Sequence, residues 1–186
     1  ARTGNTIHDV QFVDLDQNGQ IKSAQAESAK SAPGVQIVFS GPSGSRQTLY
    51  YFQTDLSNAG VKKSPFLTFC KTLGSGDSFV KSASYLMHSD QFSIVRDFIL
   101  ANSQTLLQDD SGVPIRYFAR DEWSLKPFGR YVGPIPIFAG MYQKQLAELF
   151  RPSTPRLDFG IGYRWRTNES NLLLALRKSH TATHSD

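Results

Sequence analysis

Apolar and polar positions change their spacing several times along this chain, and each change predicts an element. From Ile7 to Leu15, Val10, Phe12 and Asp14 alternate with Gln11, Val13 and Leu15, the two-residue period of a strand. Asp16-Gln17-Asn18-Gly19 follows as a turn. The small, polar stretch from Ser23 to Pro33 predicts a loop. Val35–Ser40 and Gln47–Thr54 are rich in β-branched and aromatic residues and flank Gly41-Pro42-Ser43-Gly44-Ser45, which predicts a hairpin with a long connection. Asp55 to Lys63 predicts a further loop.

The period then lengthens. Ser64-Pro65 offers a cap followed by proline in the first turn, and Phe66, Phe69, Cys70 and Leu73 fall at i, i+3, i+4 and i+7 before Gly74. Cys70 lies on that apolar stripe, which predicts a core thiol rather than a nucleophile. A second helix is predicted after Asp77 or Ser78, with Phe79, Ala83, Leu86 and Met87 on one face. A third follows Ser89 or Asp90, with Phe92, Val95, Phe98 and Ile99 inward.

Thr105–Gln108 and Val113–Phe118 read as strands around Asp109-Asp110-Ser111-Gly112, a turn by composition. Trp123 to Phe138, rich in proline, glycine and aromatic residues, reads as an ordered loop. Tyr142, Leu146, Leu149 and Phe150 make one more helical stripe, ended by Pro152. Leu157, Phe159, Ile161, Tyr163 and Trp165 alternate with Asp158, Gly160, Gly162, Arg164 and Arg166, which predicts a strand with a buried aromatic face and Asn171–Leu176 as its hairpin partner. Strands at both ends with helices between them predict an α+β fold: one domain over residues 1–178, a mostly antiparallel or mixed sheet of about five to seven strands covered by three or four helices, and a tail over 179–186.

Composition narrows the function classes. With 39% hydrophobic and 19% charged residues the chain is globular, and no apolar run reaches the ~18 residues of a membrane helix. One cysteine excludes an intrachain disulfide and a thiolate zinc site. The net charge of +4 is uneven: 9 basic against 10 acidic residues to Gly112, then 11 against 6. That basic second part suits an anionic partner. The chain begins at Ala1 rather than Met, which keeps an exported origin open.

Between Ala83 and Phe138, the phrases SYLMH, ILANSQTLLQDDSGVPIRYF and PFGRYVGPIPIF resemble an uncharacterised group of bacterial proteins, often exported. The resemblance implies a bacterial, extracytoplasmic origin; it implies no activity and assigns no site residue.

Three constellations carry candidate chemistry. Asp14 to Ile21 resembles the first eight positions of an EF-hand loop, but Lys22 stands at position 9 and Gln25 replaces the closing Glu, so a plain turn is expected and no metal. Asp109, Asp110 and His88 form the candidate acid–base set, because adjacent carboxylates at a turn can raise one pKa and make a base. Arg130 and Tyr131 in the glycine-rich PFGRYVGP loop, with Arg116 and Ser111, form the candidate ligand set; Gly129 and Gly133 would let the backbone approach a ligand there. Arg164 and Arg166 share a predicted strand face, where something acidic must sit between them. Gly41–Ser45 lacks the Gly-Lys-Ser/Thr end of a phosphate loop, and no cofactor is implied. Two readings follow: a non-catalytic domain binding a small anionic or carbohydrate-like ligand, or a hydrolase-like enzyme acting through Asp109, Asp110 and His88. Nucleic acid is not the expected partner, since no RNP-like signature occurs.

Overall fold

The structure, a computed structural model, describes residues 4–24 and 34–178. Of the loop expected over Ser23–Pro33, Ser23 lies in a strand, while most of the rest, the Gln25 position and the tail over 179–186 lie outside the described residues. The class is α+β, as the pattern predicts, but the strands form two sheets of four rather than one larger sheet. The chain divides into two compact units, Ala1–Leu73 and Gly74–Asp186.

In the first unit β1 (Thr6–Leu15), β2 (Ile21–Ser23), β3 (Gly34–Ser40) and β4 (Arg46–Phe52) lie in the order β2-β1-β3-β4, all antiparallel. The resemblance to a calcium loop resolves into the β1–β2 turn. Asp16 Oδ1 accepts from the backbone N–H groups of Asn18 and Gln20, at 2.9 and 2.8 Å, which draws its carboxyl below the ordinary range. Gly19 has φ +74°, and a Cβ there would lie 2.7 Å from the Phe69 nitrogen, so only glycine lets the turn dock on its neighbour.

That neighbour is α2 (Phe66–Thr72), whose Phe69 and Phe66 pack edge-on against Phe52, with ring centroids 5.0 and 6.0 Å apart. Val13, Val61 and Phe69 are the buried centre. Only part of the predicted α2 stripe is interior, because Leu73 is exposed and Cys70 half-buried, with burial raising its thiol pKa. A short helix α1 (Asn58–Val61) replaces the loop expected at 55–63; Ser57 caps it by accepting from the Gly60 N–H. On the opposite sheet face Val10, Ile37 and Leu49 lie in one row and Phe12, Val35 and Tyr51 in the next, and the outer members of both rows are exposed.

The second unit has a mixed sheet in the order β5-β6-β8-β7, built from β5 (Gly76–Val80), β6 (Ser103–Gln108), β7 (Trp123–Gly129) and β8 (Asn171–Arg177). β5 and β6 are parallel and joined through α3 (Ser93–Asn102); β8 runs antiparallel to both β6 and β7. Leu106, Leu172, Leu173 and Ala175 are buried in its central strands. α4 (Lys144–Leu149) places Leu146 with Ile115 and Leu173 in one apolar cluster.

Four expectations fail here, each for a local reason. The second helix is instead β5 followed by a 3-10 segment at Ala83–His88, in which Ser84 and Tyr85 have φ near +56° and cannot continue a right-handed helix. Val113–Phe118 is not a strand: the Gln108 side chain bonds both the N–H and the carbonyl of Val113, in place of a partner strand, and Ile115–Tyr117 turns as 3-10. Trp123–Gly129 is a strand rather than loop, and Pro127 is tolerated because β7 is a sheet edge. Leu157–Arg166 is no strand at all. Gly162 and Trp165 sit at φ +83° and +57°, outside the extended region, and Phe159 and Trp165 are exposed.

Candidate functional site

The Asp109–Gly112 turn leaves the C-terminal end of β6 and enters the interior. Asp109 Oδ1 accepts from the Ser111 backbone N–H at 3.0 Å and from the Ser111 hydroxyl in a very short bond, while the Ser111 Oγ accepts from the Ser82 N–H at 3.1 Å. Lys81 Nζ lies 3.1 Å from Asp109 Oδ2 and 4.9 Å over the Tyr163 ring. Asp110 faces another set: Tyr85 donates its hydroxyl to Oδ2 at 2.7 Å, and Asn171 donates its amide to Oδ1 at 3.2 Å. The Gln143 amide donates to the Asp110 carbonyl, and Tyr131 Oη accepts from the Gln143 backbone N–H. The Tyr85 ring meets His88 edge-on at 5.1 Å, Phe138 at 5.2 Å and Tyr163 at 6.1 Å.

Burial governs the protonation of this knot. His88 is lowered to about 4, chiefly because burial disfavours the imidazolium, with Arg116 and Arg96 adding repulsion against the pull of a hydrogen bond to the Asp110 main chain. Its Nε2 is buried without a hydrogen-bond partner among the described residues. Burial raises Asp110 as well, and the Asp109 charge beside it adds to that; Tyr85 and Asn171 oppose the rise. Tyr131 is pushed up to about 12 by burial, and the Tyr85 phenol is driven far above its ordinary value by burial and by Asp110.

Of the candidate acid–base set, Asp109, Asp110 and His88 lie together; of the candidate ligand set, Ser111 joins them and Tyr131 stands at the margin. The arrangement is closed: Ser111 is 0% and Asp109 2% exposed, and their oxygens are engaged with neighbours in the fold. Arg116 stands outside it, exposed, donating to the Tyr117 hydroxyl at 3.2 Å and lying over that ring. Arg164 and Arg166 do share an acidic partner, but it is Glu169, at 3.6 and 3.5 Å.

Arg130 belongs to a different place. It follows the last residue of β7, where its N–H donates to the Ser170 carbonyl at 2.7 Å. Gly129 donates to the Pro155 carbonyl at 2.7 Å, and Thr154 donates its hydroxyl to the Gly129 carbonyl, so Arg156 is drawn to the same rim. Gly129 has φ +81° and a Cβ there would lie 2.2 Å from the Ser170 oxygen; its freedom serves chain packing rather than close approach to a ligand. A cavity of about 180 Å³ opens here, lined by Gly129, Arg130, Arg156, Leu157, Thr167 and Asn168. Among the described residues neither guanidinium has a carboxylate within 4 Å.

Sequence reasoning missed Lys81, Tyr85, Asn171 and Gln143 of the knot, and Arg156, Thr167 and Asn168 of the cavity. No spacing pairs Arg130 with Arg156, because backbone bonds between separate segments bring them together. No family model, curated protein or solved structure matches the chain.

Proposed function

We propose that this chain is a ligand-binding module that seats a small anionic group between Arg130 and Arg156. The observation that carries this reading is that Arg130 and Arg156 line one cavity and that, among the described residues, neither guanidinium has a carboxylate within 4 Å. Like charges gathered at a rim repel one another unless an anion joins them, and guanidinium forks match oxyanion geometry. Thr167 and Asn168, both able to donate and accept hydrogen bonds, line the same cavity. The volume is below the ~300 Å³ at which drug-sized pockets begin, so the cavity suits one phosphate, sulfate or carboxylate group rather than a whole large ligand. The basic excess of the chain after Gly112 favours the same class of partner. A bacterial, extracytoplasmic origin, implied by the phrases between Ala83 and Phe138, belongs to the same proposal. The hydrolase-like alternative gains no specific support, since a fully buried Ser111 and a half-buried His88 with engaged neighbours give substrate no entry.

Amide chemical-shift mapping during titration with inorganic phosphate tests the reading. Shifts should concentrate at Gly129, Arg130, Thr167 and Asn168. Shifts centred on Tyr85 and Asp109–Gly112 would overturn it. So would none up to about 10 mM phosphate, a level that largely fills even a ~1 mM site.

A further inference from the structure

The segment that closes the arginine cavity carries a feature that phosphate recognition alone does not use. Arg156 and Leu157 at one end and Thr167 and Asn168 at the other line the cavity, so the chain between them is a compact loop with its ends together. Ser170 ties the neck: its Oγ accepts from the Ile161 N–H at 2.9 Å and bonds the Arg166 carbonyl at 2.6 Å. Gly160 closes on the backbone of Trp165, where an added Cβ would lie 2.4 Å from the Trp165 oxygen.

Trp165 is held there at φ +57°, a conformation disfavoured for any bulky side chain, and its residue surface is 75% exposed. The chain's other tryptophan, Trp123, is 4% exposed beneath the Arg177 guanidinium. An exposed indole on a strained backbone, two residues along the chain from Thr167 of the cavity lining, gains nothing from the core.

We propose that Trp165 is the stacking platform of this site and that the ligand is a sugar carrying a phosphate or carboxylate group. This rests on the anion-binding reading of Arg130 and Arg156. The anionic group enters the small cavity, and the sugar ring lies outside it with its weakly positive C–H face on the electron-rich indole. Thr167 and Asn168, which line the cavity, both donate and accept, as sugar hydroxyls do. A single exposed indole, without a track of further rings and cations, fits one sugar better than a nucleic-acid strand.

Calorimetric titrations with inorganic phosphate, glucose 6-phosphate, glucuronate, uridine monophosphate and glucose separate the two levels, with Trp165 emission recorded in parallel. Glucose 6-phosphate should bind about tenfold more tightly than phosphate and change the exposed-indole emission; unmodified glucose should bind far more weakly. Trp165→Ala should erase the tenfold advantage while leaving phosphate affinity unchanged, and Trp165→Phe should restore part of it. No binding of any anion would sink the reading of Arg130 and Arg156, and this inference with it. Phosphate binding without a sugar advantage, an advantage that survives Trp165→Ala, or a preference for the nucleotide would overturn this inference alone.

Discussion

The polar knot at Asp109–Gly112 and the arginine cavity hold similar kinds of residue and opposite kinds of chemistry. In the knot, Lys81, Asp109 and Ser111 form one bonded set and Tyr85, Asp110 and Asn171 another, with Asp109, Ser111, Tyr85 and Asn171 buried. At the cavity, Arg130 and Arg156 are exposed and lack carboxylate partners among the described residues. The lesson concerns partnership rather than density. The place richest in reactive residue types reads as an internal brace, because its carboxylates, Ser111 and Tyr85 already have partners in the fold. The sparser place has no such carboxylate partner among the described residues, and anion binding is proposed on that ground.

If the knot is a brace, breaking it should cost stability. Asp109→Ala leaves the Ser111 hydroxyl and N–H without their acceptor and removes the Lys81 counter-charge. We expect a loss of about 3 kcal/mol in denaturant unfolding, with phosphate affinity preserved in the folded fraction. A variant as stable as the parent but unable to bind would move the ligand site back to the turn.

Acid should loosen the same brace through His88. Its folded value of about 4 lies below the ordinary 6.5, so the unfolded chain takes up the proton first as pH falls. The ring's contribution is complete above pH 6.5 and is lost between 6.5 and 4. Asp110 runs the other way: its raised folded pKa gives a contribution that is full in acid and disappears as pH rises through that value. The net loss on going from pH 7 to 4.5 should be about 1–2 kcal/mol, after discounting for the partial exposure of the imidazole. His88→Phe should flatten or reverse that slope in pH-dependent melting. An unchanged slope would show that the ring is already solvated.

A smaller effect separates loop from strand at 157–166. Phe159→Asp should cost less than about 0.5 kcal/mol, since the ring is exposed and no sheet face receives it. A loss of several kcal/mol would reinstate the buried strand that the alternation predicts.

That alternation shows where sequence pattern was legible and where it was not. In the first unit the alternation of β1 and the β-branched and aromatic runs of β3 and β4 marked true strands, which pair in one antiparallel sheet. In the second unit the central strand β8, Asn171–Arg177, was expected over Asn171–Leu176 as the hairpin partner of 157–166, but its partners are β6 and β7. The glycines at 160 and 162 made Leu157–Arg166 look regular when they are what lets it coil. Of the site residues, Asp109, Asp110, Ser111 and His88 were legible because a turn and a helix-like stripe frame them. Arg130 was legible from its glycine-flanked loop. Arg156 was not, because only the Gly129–Pro155 backbone bond carries it there.

The distinction between brace and binding rim is tested most directly by one calorimetric comparison. Phosphate is titrated into the parent chain and into Arg130→Ala/Arg156→Ala, with melting recorded on both. Unpaired, exposed arginines predict at least a tenfold loss of phosphate affinity, from removal of charge-assisted bonds worth about 1.5–3 kcal/mol each, and a melting temperature within about 2 °C of the parent. Full phosphate affinity in the double variant would contradict the assignment of the rim as the ligand site.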